Sequence, residues 1–135
     1  MTLDRIGVLS FGGLYMEKYK LGEMETAFAE IIWDTAPVAS GELVKICEEK
    51  LDWKKSTTYT MLKRLCQREI FENDCGTVKV LMSREKFKAA QSEEFVAETF
   101  GGSLPMFLTA FTKHNKLSAK EIEEIKNLID NYKEV

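Results

Sequence analysis

Residues 53–68 read Trp53-Lys54-Lys55-Ser56-Thr57-Thr58-Tyr59-Thr60-Met61-Leu62-Lys63-Arg64-Leu65-Cys66-Gln67-Arg68. Two patterns run through this stretch together. Thr58, Met61, Leu62, Leu65 and Cys66 recur at i, i+3, i+4, i+7 and i+8, which places them on one side of a helix from about Lys55 to Glu69 and turns them toward a core. The same stretch holds Lys54, Lys55, Lys63, Arg64 and Arg68, and none of the chain's 22 acidic residues. On a protein of net charge -3, such a stripe confines favourable phosphate contact to one surface. Charge alone leaves a second reading open, a solvated helix face, because Lys and Arg are good helix formers.

Before this stretch, Leu21, Met24, Phe28, Ile31 and Ile32 predict an amphipathic helix over Leu21–Asp34, which Pro37 stops. A second helix is expected from Ser40 to Lys50, with Leu43, Ile46, Cys47 and Leu51 inward, and Asp52-Trp53 interrupts it. Trp33 and Trp53 read as core plugs. After the stretch, Ile70–Asn73 and Thr77–Met82 are β-prone runs around Asp74-Cys75-Gly76, the pattern of a hairpin. Three helices followed by a hairpin are the parts of a winged helix-turn-helix. The expected fold is therefore mainly α, with a winged helix DNA-binding domain over residues 16–83.

Residues 84–135 are organised differently. A mixed helix over Ser83–Phe100 breaks at Gly101-Gly102. Ser103 can cap a new helix with Pro105 in its first turn, and Leu104, Phe107, Leu108 and Phe111 follow at helical spacing. Ser118 and Glu121 form a capping box, with Leu117 and Ile122 placed as a hydrophobic staple. Ile122, Ile125, Leu128, Ile129 and Tyr132 then line one side of the last helix. Short helices with such stripes must bury them on something, either the same helices of a second chain or the winged domain of their own. A helix-turn-helix protein needs two half-sites for useful affinity, which favours a helical dimerisation domain and a homodimer.

A chain of 135 residues with 44% hydrophobic and 30% charged residues suits a globular protein rather than a disordered one. It has no apolar run of about 18 residues, so no membrane insertion is expected. Residues 1–15 are expected to be a disordered leader, with three glycines and no basic flank to make a secretion signal. Gly12-Gly13 can be encoded as GGAGGT, a ribosome-binding sequence just ahead of Met16, so Met16 is an expected alternative start. The protein is expected in the cytoplasm. Cys47 and Cys66 fall on apolar stripes, Cys75 sits in a turn as a remote redox candidate, and His114, the one histidine, is expected in a solvated loop. No zinc spacing, nucleophile motif, paired carboxylates or phosphate loop is present, so neither a metal, a cofactor nor an enzyme is expected.

A major groove about 12 Å wide accepts one helix, whose exposed side chains meet base edges and phosphates. Opposite the inward face stand Lys55, Ser56, Tyr59, Thr60 and Lys63. Ser56, Tyr59 and Thr60 are candidates for hydrogen bonds to bases, with Tyr59 also offering a flat surface to a thymine methyl. Lys54, Lys55, Lys63 and Arg64 are candidate phosphate contacts. Thr57 reads either as part of this face or as a capping or packing residue. Hydroxylated residues flanked by lysines fit a groove-reading helix better than an inert face, where Glu would alternate with Lys.

With these residues in view, the chain resembles the penicillinase repressor family, which includes repressors of β-lactamase and methicillin-resistance genes and a copper-responsive branch. The resemblance rests on Leu21-Gly22-Glu23-Met24-Glu25, on Ile32-Trp33 followed by Pro37, and on Trp53 leading into Ser56-Thr57-Thr58-Tyr59-Thr60 and Lys63-Arg64-Leu65. Gly102-Ser103-Leu104 and Leu117-Ser118 through Glu121-Ile122-Glu123-Glu124-Ile125 extend it to the C-terminal helices. It implies a homodimeric repressor on a palindromic double-stranded DNA operator. It also implies an antibiotic response in which a membrane sensor protease pathway leads to cleavage of the dimerisation helices, at a bond that falls here at Ala110-Phe111. Ala110 stands where the family has Asn, Glu69 where it usually has Gly, and the wing tip Asn73-Asp74-Cys75-Gly76 lacks the usual basic residues. The Cys-rich metal hook of the copper-responsive branch is missing. A competing expectation, prompted by the acidic wing, is a protein-interaction module without specific DNA binding.

Overall fold

The computed structural model describes residues 2–3, 8–11, 14–17 and 19–134. Three short strands, β1 (Thr2–Leu3), β2 (Val8–Phe11) and β3 (Leu14–Glu17), pair antiparallel in that order, with Phe11 opposite Leu14. This ladder stands where the sequence suggests a disordered leader. Its signal in the sequence is the pair of partly apolar runs Val8–Phe11 and Leu14–Glu17. Gly12 and Gly13, with the ribosome-binding reading attached to them, lie outside the described residues.

Helix α1 (Glu23–Thr35) starts at Gly22, whose N–H donates to Glu25 Oε1 at 3.2 Å, and two acids in its first turn complement the helix dipole. It buries Phe28, Ala29, Ile31 and Ile32. Met24 is 47% exposed and drops out of the expected inward stripe, whereas Leu21 is partly buried against the core. After Pro37 comes a strand that periodicity could not reveal, the two-residue β4 (Val38–Ala39), followed directly by α2 (Ser40–Leu51). Asp52 ends α2 in the left-handed region, with the Trp53 N–H returning to the Cys47 carbonyl at 3.3 Å. This turn leads into α3 (Lys55–Gln67), which buries Thr58, Met61, Leu62 and Leu65, while Cys66 is half-buried.

Strands β5 (Phe71–Asp74) and β6 (Thr77–Val80) form the wing, and β4 pairs with β6 to give the order β4-β6-β5. The turn is shorter than expected. Asp74 pairs with Thr77, leaving Cys75 (φ 50) and Gly76 (φ 93) as a two-residue connection with positive φ at both positions, the form that matches strand twist.

Phe28, Ile32, Leu43, Cys47, Leu65, Ile70, Phe71 and Val78 are fully buried in one cluster joining α1, α2, α3 and the wing. Both tryptophans pack against it as expected. Trp53 meets Phe28 at 5.2 Å between ring centroids, and Trp33 meets Phe71 at 5.5 Å while its Nε1 donates to the Met82 carbonyl at 3.0 Å. Helix α4 (Arg84–Phe100) is tied to this body at its start. Arg84 Nε donates to Glu30 and Nη2 to Asp34, each at 2.7 Å, and Phe87 is buried against Trp33.

The chain forms two compact units, Met1–Phe95 and Val96–Val135, so most of α4, up to Phe95, belongs with the winged helix rather than beginning a new unit after Ser83. In the second unit, Gly101 (φ 59) and Gly102 (φ 86) end α4. Helix α5 (Leu104–His114) is capped by Ser103, whose hydroxyl accepts from the Met106 N–H at 3.2 Å. Helix α6 (Ala119–Asp130) carries the capping box, with the Ser118 hydroxyl on the Glu121 N–H at 3.1 Å and the Glu121 carboxylate on the Ser118 N–H at 3.2 Å. His114 is the last residue of α5, exposed, rather than part of a loop.

Candidate nucleic-acid interface

The inward residues of α3 fix which of its residues face out. Because Thr58, Leu62 and Leu65 are at most 2% exposed, the helix cannot roll without moving its apolar side into water. Lys54, Lys55, Ser56, Thr57, Thr60, Lys63 and Arg64 are consequently exposed together. Thr57 belongs to this open face and does not pack; with Ser56, Thr60, Met61 and Arg64 it lines a shallow groove. Thr60 donates its hydroxyl to the Ser56 carbonyl at 2.9 Å, which leaves its oxygen as an acceptor and its methyl for apolar contact.

Two members differ from the sequence expectation. Tyr59 is only half-exposed, and its hydroxyl donates to Ser40 Oγ at 3.2 Å. Lys55 Nζ lies 6.0 Å from the Tyr59 ring centroid, within cation–π range. Arg68, which the sequence groups with the basic stripe, is 8% exposed. Its Nη1 donates to the Lys20 carbonyl at 2.8 Å and its Nη2 lies 3.5 Å from Glu25 Oε2, so it locks the end of α3 to the start of α1. A buried charge needs such partners. Sequence spacing cannot show this, because the acceptors lie over forty positions away.

The wing contrasts with α3. Glu72, Asn73, Asp74 and Cys75 are all exposed. Lys79, on β6, is held by its own turn, its Nζ 2.9 Å from Asp74 Oδ2. That ammonium keeps the Asp74 carboxyl below its usual range, and the carboxylate in turn raises Lys79. Glu69 occupies the left-handed region (φ 61) just after α3, the geometry for which glycine is the usual residue, so the departure from Gly noted in the sequence falls at a strained position. Burial pushes the Cys47 and Cys66 thiols up, while Cys75 is exposed.

The C-terminal stripes lie open. Helices α5 and α6 bury no residue. Leu104, Phe111, Ile122, Leu128 and Ile129 are exposed, Leu128 to 72%, while Phe107, Leu108 and Ile125 are half-buried. Ala110 and Phe111 lie inside α5, both exposed, in regular helix. Among the described residues no cluster of His, Cys, Asp or Glu could hold a metal ion, and no helix is long and apolar enough to cross a membrane.

A three-stranded sheet of order β4-β6-β5 behind three helices, continued by a helical C-terminal region, defines a winged-helix protein. The chain belongs to the penicillinase repressor family, whose profile matches residues 21–131. Members of this family are transcriptional repressors rather than enzymes. The chain is 22% identical over 116 residues to the methicillin resistance regulatory protein MecI of Staphylococcus aureus strain Mu50, covering 83% of this chain and 94% of that protein. It is 22% identical over 118 residues to the penicillinase repressor of Bacillus licheniformis, covering 84% and 92%. A penicillinase repressor of Staphylococcus aureus is 23% identical over 117 residues, covering 80% and 93%.

Proposed function

We propose that this chain is a cytoplasmic homodimeric repressor that grips a palindromic DNA operator with the outer face of α3 and so occludes a promoter. The single observation that carries the reading is that face: exposed Lys54, Lys55, Lys63 and Arg64 around Ser56, Thr57 and Thr60, with no acid in the helix. Lysines and Arg64 hold phosphates, while the small hydroxylated residues meet base edges. The acidic wing adds little to the grip, so α3 must supply most of it. Pairing of the open stripes of α5 and α6 between two copies supplies the second half-site. Scission of the Ala110-Phe111 bond by a membrane sensor protease pathway would detach α6 and end repression. Because a protease needs extended backbone, this bond is reached only after α5 unwinds.

Fluorescence anisotropy with genomic fragments, at two salt concentrations, tests the reading. Binding that tightens as salt falls is expected, because phosphate contact releases counterions. Absence of binding at low salt would turn the assignment toward the second reading, a protein-interaction module, which the exposed acidic wing favours.

A further inference from the structure

Ser40 is the point where three elements of the winged helix meet. It is the first residue of α2, its N–H donates to the carbonyl of Gly76 in the wing turn at 2.8 Å, and its Oγ accepts the Tyr59 hydroxyl of α3 at 3.2 Å. A Cβ added at Gly76 would lie 4.0 Å from Ser40 Oγ, so the hydroxyl pair stands beside the wing turn. The wing-to-α2 link continues the β4-β6 ladder from the Ala39-Thr77 pair. The hydroxyl pair extends that ladder sideways onto the recognition helix. Neither half of this junction is visible in the periodicity of the chain, because Tyr59 and Gly76 lie nineteen and thirty-six positions from Ser40.

We propose that Tyr59 and Ser40 are a positioning pair that ties α3, whose roll its apolar face already sets, to the junction of α2 and the wing, and that the Tyr59 hydroxyl does not donate to a base. The inference rests on the proposed DNA-binding role of α3 and assigns its residues more finely. The Tyr59 hydroxyl proton is committed to Ser40, so donating to a base would break that bond and leave the half-buried pair unsatisfied. Among the described residues, Ser56, Thr57, Thr60 and Lys63 have no such tie across elements, and the sequence preference of the operator is theirs. Tyr59 acts through the geometry it imposes on them.

The test uses the full chain and the variants Tyr59→Phe, Ser40→Ala and both together, with Ser40→Thr as a hydroxyl-retaining control. Each single change should weaken binding to a selected operator by roughly 3- to 10-fold, the effect of one hydrogen bond. The double variant should be no weaker than either single one, because both remove the same interaction. Ser40→Thr should restore binding, and the ranking of operators with single base-pair changes should stay as in the wild type. Loss of discrimination at one base pair in Tyr59→Phe, absent from Ser40→Ala, would overturn the proposal. So would a double variant weakened by the product of the two single effects. A second readout needs no DNA: in the free protein, Tyr59→Phe should shift the backbone amide resonances of Ser40 and Gly76. Unmoved wing resonances would refute the pair. Shifted resonances in a protein that binds no DNA would uphold the pair and refute the DNA-binding reading.

Discussion

Replacing Leu128 with Ser tests whether the C-terminal stripes pair two copies. Leu128 is 72% exposed in the single chain, so that fraction of it is available for burial. Burying a whole leucine side chain contributes about 1.5–3 kcal/mol, so seating this fraction stabilises by about 1–2 kcal/mol per copy. A two-fold interface uses the same residue from both sides, which doubles the figure to about 2–4 kcal/mol per dimer. At 1.4 kcal/mol per decade, the dimer Kd should rise roughly 30- to 700-fold. Sedimentation velocity over a wide concentration range measures that shift, and circular dichroism checks that the helices persist. Serine on a solvent-exposed helix position costs only about half a kcal/mol of helix propensity, far below the expected effect. An unchanged dimer Kd, or a wild type monomeric at every concentration, would refute the reasoning.

Four further outcomes follow from the geometry. Asp74→Asn should release Lys79 from its 2.9 Å partner and strengthen binding to unrelated DNA, steepening the salt dependence by about one unit if the freed ammonium reaches a phosphate. Because Lys79 depresses the Asp74 carboxyl, mild acid will not mimic this variant; the pair opens only below the ordinary Asp range. An aromatic disulfide reagent at neutral pH should label exposed Cys75 first, as peptide mass spectrometry would show, and equal labelling of Cys47 in the folded protein would contradict its burial. Burial favours the neutral thiols of Cys47 and Cys66, so their contribution to stability is whole at neutral pH and is lost as pH rises through their raised values. Glu69→Gly should raise stability by about 0.5–1 kcal/mol in thermal denaturation, since φ 61 is strained for Glu, and a lower melting temperature would count against strain there.

What the sequence showed and what it hid divide by the range of the interactions. The helical stripes, the caps at Ser103 and Ser118, the hairpin and the outward residues of α3 depend on neighbours within one or two turns, and they were legible from spacing. The two-residue strand β4 is too short for any alternation to register, and it exists because Val38 and Ala39 meet Val78 and Thr77. Arg68 looks like its basic neighbours in sequence, yet its partners, the Lys20 carbonyl just before α1 and Glu25 in its first turn, draw it inward. Tyr59 likewise has a hydroxyl suited to a base edge, and only the approach of α2 commits it to Ser40. The strip of α3 that remains open is narrower than the charge pattern suggested, and it is defined by packing rather than by charge.

The most direct test of the central claim is the salt dependence of binding to a selected operator, measured by anisotropy for the wild type and for Lys55→Ala and Lys63→Ala. Each lysine that holds one phosphate contributes about 0.9 to the slope of log affinity against log salt. The account predicts binding by the wild type, weaker binding to all sequences by both variants, and a slope shallower by about that amount in each. A wild type that binds no DNA at low salt, or slopes untouched by both substitutions, would contradict it.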